Sequence, residues 1–159
     1  MKTSIKLFLL LYAFSMTACA TQTNEIQSVL DQQQAPAGVV FEVVSLFEGS
    51  IQTAIPKIVE YSSQLRKRFP NISIAVVTHG NEQFALTTKN KSEYTKTHQQ
   101  VQNLAENGDI PVHVCAVYAE RKGVSESEFP DYINIAASGP SQINNYRELG
   151  YVHIKLSNW

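Results

Sequence analysis

The sequence has little charge of either sign and no extended basic patch. Charged residues make up 17% of the chain, with 13 basic against 14 acidic side chains. This balance gives no electrostatic field that would steer the protein to nucleic acid or to an anionic membrane surface. The only basic cluster, Arg66 to Arg68, falls late in a predicted helix, where it suits the helix's negative end. We therefore expect no nucleic-acid partner.

The motifs of three other chemistries are also missing. A phosphate site would need a glycine-rich loop after the first strand, and the sequence there, SLFEGS, has Gly49 alone. A serine hydrolase of the G-x-S-x-G kind is excluded because that motif does not occur. The four histidines lie on separate predicted elements, and a single His-x-Cys pair is a weak basis for a metal site. We expect no cofactor and no resident metal.

Cysteine is scarce, and the first of the two lies in an N-terminal leader. Residues 1–20 have the layout of a bacterial secretory signal: early lysines, the apolar stretch LFLLLYAF and the small-residue segment SMTACA. The apolar stretch is too short for a permanent membrane span. Met16 to Cys19 resembles a lipobox, which would make Cys19 a lipidation site, but Ala18-Cys19-Ala20 equally fits ordinary cleavage before Thr21. We expect export to the periplasm, either as an outer-membrane lipoprotein or as a soluble protein.

Either outcome leaves Cys115 as the only thiol. Exported proteins normally carry cysteines in pairs, because their compartment is oxidising. A leftover cysteine indicates an intermolecular bond or a thiol kept free for its reactivity. Cys115 is therefore the first candidate for a functional residue.

The remaining chain divides into a tether and one domain. Residues 21–37 are polar and Gln-rich, which is typical of a tether, and residues 38–159 form a domain. In the domain, β-branched runs alternate with amphipathic helical patterns, which predicts an α/β fold with three α/β/α layers and a mainly parallel five-stranded sheet. The predicted strands are GVVFEVV, ISIAVVT, VHVC, the run from Tyr132 to Ala136, and YVHIKL.

The predicted position of Cys115 favours a reactive thiol. It ends the third strand and is followed at once by the helical stretch AVYAERKG. A helix N-terminus stabilises a thiolate, and reactive groups of parallel sheets lie beyond the carboxyl ends of the strands. His113 lies on the same strand face, roughly 7 Å away. The alternative is that Cys115 is a small buried hydrophobe and that His113 is a hydrogen-bonded structural residue.

From Gly38 to Leu156 the chain resembles the DsrE/DsrF-like family of sulfur-relay proteins. The resemblance is carried, in order, by GVVFEVV, VVTHG, the helix leading to Gly108 with VHVC, the SGP turn and GYVHIKL. It implies a three-layer α/β/α fold, assembly into homo-oligomers, and a persulfide carried on Cys115. The family's roles for histidines are not uniform, so His79 and His113 are predicted as thiolate support from their own positions.

Two hypotheses of function follow. In the first, the protein is a periplasmic carrier or transferase of sulfane sulfur, which attacks a persulfide or polysulfide donor through Cys115 and passes the sulfur to an acceptor thiol on a protein or a small molecule. In the second, it is a non-catalytic, membrane-tethered binding or assembly module in which Cys115 is core packing, since a fold does not dictate an activity.

Overall fold

A computed structural model describes residues 21–156 of the chain. The predicted signal segment, including Cys19, lies outside the described residues. Five strands form a single sheet in the spatial order β4-β3-β2-β1-β5, and every neighbouring pair is parallel. The strands are β1 (Gly38–Val43), β2 (Ser73–Thr78), β3 (Val112–Cys115), β4 (Asn134–Ala136) and β5 (Tyr151–Leu156).

Helices cover both faces of the sheet, so the predicted three-layer α/β/α fold is confirmed, with a sheet that is wholly parallel. The inner strands are continuous β-branched runs because parallel strands are buried on both sides; all six residues of β1 are buried. The helices are α1 (Thr21–Leu30), α2 (Ile51–Arg68), α3 (Thr95–Glu106), α4 (Ala116–Arg121) and α5 (Gly139–Glu148).

The two faces differ in size. On the face that we call the helix-rich face, side chains of α1, α2 and α3 join Val39, Phe41 and Val43 in one large apolar cluster. On the opposite face, the α5 face, α5 packs on β1, β2, β3 and β5, and the buried apolar cluster is small. Its members are Val40, Ala75, Val77 and Ile143.

The predicted tether is replaced in its first half by a packed helix. Thr21–Leu30 forms α1, whose Ile26 and Val29 are buried in the large apolar cluster. The reason is their spacing, because apolar residues three and four positions apart share one side of a helix. The guanidinium of Arg68 on α2 also donates to the carbonyl groups of Leu30 and Gln32. The folded unit therefore starts before Gly38.

Two local features define where helical segments begin. The S-x-x-E pattern at Ser125 forms a capping box, with Ser125 as the N-cap and Glu128 bonding back to the Ser125 N–H. α3 begins at Thr95, after a series of tight turns. Within residues 21–156, no helix combines the length and the apolar character needed to cross a membrane.

Candidate functional site

Cys115 lies at the junction that the sequence predicts. It is the last residue of β3, has an extended backbone and directly precedes the first residue of α4, a helix of only six residues. The thiol is free, but the residue is only 2% exposed. The structure therefore does not present the solvent-reachable thiol that the sulfur-carrier hypothesis expects.

Cys115 is one of the buried residues of the core, but it lies at the margin of the apolar packing. Among the described residues, Cys115 belongs to neither of the two apolar clusters. Its β4 partner in the sheet is Ala136, and on the other side Thr78 of β2 pairs with Val114. His79 directly follows the last residue of β2, and its backbone N–H donates to the carbonyl of Val43 at the end of β1. Because side chains alternate along a strand, Cys115 shares the α5 face with His113.

Gln83 is the polar side chain that contacts Cys115. Its Oε1 accepts a hydrogen bond from the Cys115 backbone N–H at 2.8 Å. Gln83 is fully buried, and its Nε2 has no hydrogen-bond partner within residues 21–156. Exchanging the amide oxygen and nitrogen would not help, because a donor would then face the Cys115 N–H. A buried donor is therefore left unpaired next to the thiol-bearing residue.

Gln83 belongs to a short 3₁₀ helix, Asn81–Leu86, that joins the ends of three strands. Asn81 donates to the carbonyl of Leu46 after β1 and accepts from the hydroxyl of Tyr118 on α4. Three consecutive polar side chains, Asn81 to Gln83, thus hold the carboxyl edge of the sheet together, and we call them the polar clasp.

Glu82 is the most heavily bonded member of the polar clasp. Its carboxylate is fully buried and accepts from the backbone N–H groups of Ser45, His79 and Gly80 and from the Thr78 hydroxyl. Three backbone bonds and one hydroxyl compensate the desolvation of a buried charge. Glu82 therefore fixes the turn that carries His79.

A second buried carboxylate, Glu42, holds His79 from the side. Glu42 Oε1 lies 2.9 Å from His79 Nε2, and Oε2 lies 2.6 Å from His153 Nε2. Lys155 Nζ approaches Oε1 at 3.2 Å. Hydrogen bonds from His153 and His79, followed by Lys155, hold the pKa of Glu42 well below its usual range against the opposing effect of burial. Because an ionised carboxylate only accepts, both Nε2 atoms carry a hydrogen.

The packing of α5 restricts His79 further. A Cβ atom added at Gly139, the first residue of α5, would lie 2.5 Å from the Cβ of His79. Only glycine therefore fits at this contact without movement of the backbone or of His79. With Nε2 committed to Glu42, Nδ1 is the ring atom left to act on a neighbouring group.

The other predicted histidine, His113, is occupied elsewhere. Its Nε2 lies 2.9 Å from the hydroxyl of Tyr146 on α5. Burial lowers the pKa of His113, which favours the neutral ring. A neutral ring gives a thiolate no counter-charge, so of the two predicted histidines only His79 has an arrangement suited to thiolate support. His98 is a structural residue, bonded to Tyr132 and to the Ala85 carbonyl.

Sequence reasoning missed Glu42 and the polar clasp. Glu42 had a visible signal, because it is the only charge in the apolar run GVVFEVV. Gln83 had none, since a glutamine in a polar stretch is ordinary. Among residues 21–156, no group of three or more histidine, cysteine or acidic side chains is arranged to hold a metal ion.

Comparisons with known proteins place the fold. No protein-family model matches the chain, and no curated protein matches its sequence. Solved structures do match. A protein of unknown function, MTH1491 from Methanobacterium thermoautotrophicum, has a TM-score of 0.59 at 16% identity, over 74% of this chain and 97% of that one.

Two further solved structures agree with this. The ychN protein from E. coli has a TM-score of 0.56 at 13% identity, covering 75% of this chain and 99% of its own. The conserved protein of unknown function BT1422 from Bacteroides thetaiotaomicron has a TM-score of 0.51 at 14% identity, covering 86% of this chain and 99% of its own. These neighbours are proteins of the DsrE-like fold. At such identities the likeness shows the fold alone.

Proposed function

We propose that the protein carries sulfane sulfur as a persulfide on Cys115, as an exported relative of the DsrE/DsrF-like sulfur-relay proteins. The observation that carries the proposal is the setting of this thiol. Cys115 is at the carboxyl edge of a parallel sheet, outside both apolar clusters of the described residues, and bonded to a buried amide; a histidine held by a carboxylate follows the neighbouring strand at the same edge. Ligands of such folds bind at this edge.

The chemistry needs no net oxidation. The Cys115 thiolate attacks the outer sulfur of a persulfide or polysulfide donor; one S–S bond forms, the donor's S–S bond breaks, and the shortened donor leaves as a thiolate. An acceptor thiolate then attacks the outer sulfur of Cys115–S–SH, and the Cys115 thiolate leaves. Cys115 is the only cysteine in residues 21–156, so the acceptor is a separate protein or small-molecule thiol.

His79 is the residue that we assign to thiolate support. Its Nε2 is held by Glu42, which leaves Nδ1 as the ring atom that can take the thiol proton, and the Glu42 carboxylate would then offset the charge gained by the ring. A histidine oriented by a carboxylate is a common arrangement for activating a nucleophile. No metal takes part in this scheme.

Sulfur exchange also requires access to Cys115. The thiol is 2% exposed, so a donor reaches it only when the junction of β3 and α4 opens locally. α4 has only six residues, and Val117 in its first turn is partly exposed, so the opening involves a short helix. We expect Cys115 to react more slowly than an exposed thiol but faster than global unfolding allows.

The location and assembly of the protein are part of the proposal. Residues 1–20 support export to the periplasm, with Cys19 as the lipidation site if the protein is a lipoprotein. Homo-oligomers are expected from the resemblance to the family. A sulfur donor and an acceptor thiol are the partners, and nucleic acid is not.

A second candidate function is favoured by the burial of Cys115. A non-catalytic, membrane-tethered binding module would keep the thiol as packing, and it would need an apolar contact surface. Leu46 and Phe47, in the loop after β1, are 78% and 70% exposed. Side chains this exposed next to each other are typical of a contact point.

One experiment separates the two functions. The exported protein is exposed briefly to polysulfide and examined by intact mass spectrometry, beside a Cys115→Ser variant. The sulfur carrier predicts one added sulfur atom that depends on Cys115. If native protein gains no sulfur and Cys115 is alkylated only after unfolding, the binding module is the correct function.

A further inference from the structure

We propose that the side-chain amide of Gln83 binds the outer sulfur of the Cys115 persulfide, through the Nε2 donor that has no partner among residues 21–156. The assignment rests on the proposed function, since it concerns the sulfur that Cys115 would carry. It gives Gln83 the role of a positioning residue that stabilises the loaded state.

The Nε2 donor of Gln83 is buried without a hydrogen-bond partner among residues 21–156. Gln83 is fully buried, and leaving a buried donor unsatisfied costs about 1–3 kcal/mol. Buried polar groups in folded proteins are nearly always paired, so an exception needs a reason. The neighbouring carboxylate of Glu82 does not supply a partner, because its recorded bonds go to three backbone N–H groups and the Thr78 hydroxyl.

The orientation of the Gln83 amide is fixed by its hydrogen bond to Cys115. Gln83 Oε1 is fixed by the N–H of Cys115 at 2.8 Å, so Nε2 on the same planar group lies near the residue that carries the thiol. The amide therefore has two separate roles. Its oxygen holds the backbone at the end of β3, and its nitrogen remains available to an acceptor attached to Cys115.

A persulfide and a thiol differ as hydrogen-bond acceptors. A thiol is a weak acceptor, whereas the outer sulfur of a persulfide ionises more readily and carries a negative charge. A buried anion needs a hydrogen-bond donor, because desolvation penalises the charged form. A hydrogen bond from Nε2 to the thiol without added sulfur would be weak, whereas a hydrogen bond to the persulfide anion would be strong. The amide would therefore favour retention of the sulfur.

Two variants separate the roles of the amide. Gln83→Glu keeps an oxygen acceptor for the Cys115 N–H but replaces the donor with a second oxygen. Gln83→Met removes both polar atoms at similar length. A matched control is Gln99→Met, since Gln99 is exposed on α3 and is not bonded to Gln83 or to Cys115. Thermal unfolding of each protein establishes that it is folded.

The measurement is the half-life of the added sulfur after the polysulfide is removed, followed by intact mass spectrometry at fixed pH. We expect both Gln83 variants to lose sulfur roughly tenfold faster than the wild type, the effect of one hydrogen bond to a charged group. Gln99→Met should match the wild type. Equal half-lives in wild type and both Gln83 variants would overturn the role of Gln83 while leaving the sulfur carrier intact.

A second readout does not depend on a variant that folds. In the wild-type protein, the side-chain amide resonances of Gln83 are expected to move downfield and exchange more slowly with solvent once sulfur is loaded. A merely structural glutamine would show no change, and unchanged resonances in loaded protein would overturn the inference. If the wild type takes up no sulfur at all, the proposed function fails and the role of Gln83 fails with it.

Discussion

The two faces of the sheet share the same strands but carry different kinds of residue. Along β1, Val39, Phe41 and Val43 point into the large apolar cluster, while Val40 and Glu42 point to the α5 face. The helix-rich face is mainly apolar, although its helices also bury Ser62, Thr97 and His98. The α5 face combines a small apolar cluster with the groups that could support chemistry, namely Cys115, His79, His113, His153 and Lys155.

This difference shows how a small domain can remain folded while it holds a polar site at a parallel sheet. One face buries enough apolar surface to hold the fold, so the other can hold charged and titratable side chains at the carboxyl edge. Substitutions on the helix-rich face should therefore affect stability first. Substitutions on the α5 face should lower stability less and should impair function more.

The largest effect is expected on the helix-rich face. Phe41→Ala removes a fully buried ring that stacks on Tyr61, and it should lower the free energy of unfolding by about 3–5 kcal/mol. Urea denaturation measures the change. Phe47→Ala is the control, because that ring is exposed and its loss should change stability by less than about 0.5 kcal/mol. A small effect of Phe41→Ala would contradict the assignment of the main core to this face.

Gly139→Ala tests the packing of α5 on His79. The added methyl group would fall 2.5 Å from the His79 Cβ, so α5 or His79 must move, at a cost of about 1–3 kcal/mol. The same substitution at Gly49 is the control, because nothing lies within 4 Å of a Cβ there. We also expect Gly139→Ala to slow the loading of sulfur on Cys115. Equal stability of the two alanine variants would show that the contact with α5 is not tight.

Glu42→Gln tests the carboxylate that holds two histidines. It removes the charge that His79, His153 and Lys155 share, and it should lower stability by about 1.5 kcal/mol near neutral pH. Because the pKa of Glu42 is depressed in the folded state, its contribution is full above the ordinary carboxyl value of 4.5 and is lost as the pH falls further.

Urea denaturation of wild type and Glu42→Gln at several pH values measures this dependence. The difference between them should shrink below about pH 4.5, the unfolded carboxyl range. Glu60→Gln on α2 is a suitable control, since Glu60 is exposed and accepts a hydrogen bond from Gln64 four residues away. A difference that stays constant into strong acid would contradict an ionised Glu42 in the folded protein.

The smallest effect is expected from His113→Gln, and it should appear mainly as a change in pH dependence. Burial lowers the pKa of His113, so below its ordinary value of 6.5 the unfolded state binds more protons and the folded protein loses stability as the pH falls. The variant should lose less stability than the wild type between about pH 7.5 and about pH 5.5.

Thermal unfolding at those two pH values measures the effect of His113→Gln. His98 provides the comparison from the helix-rich side, because burial lowers its pKa as well. A glutamine at either position should reduce the loss of stability in acid. An unchanged acid sensitivity in His113→Gln would mean that His113 is not held neutral by the fold.

Sequence patterns predict the strands well because each is a short β-branched run between turns. They also place Cys115 correctly, since the end of a strand and the start of a helix are both local signals. They do not predict its burial, which depends on residues distant in the chain, nor its link to Gln83, thirty-two positions away. The family resemblance to sulfur-relay proteins stays a prediction, because the structural likeness supports the fold only.

Two features that the sequence did not predict have specific physical reasons. The segment 21–37 looks like a tether because glutamine dominates it, yet the spacing of Ile26 and Val29 is enough to attach a helix to an existing apolar surface. The partnership of Glu42 with His79 and His153 depends on the order of strands in the sheet, which places β1 between β2 and β5. No local sequence pattern indicates that strand order.

The packing of α1 against α2 and β5 determines how far the domain would stand from a lipid surface. A flexible leash of the predicted length would allow a reach of roughly 20–25 Å. With Thr21–Leu30 folded onto the domain as α1, much of that segment is part of the packed unit, and the reach of any anchor attached before it would be correspondingly shorter.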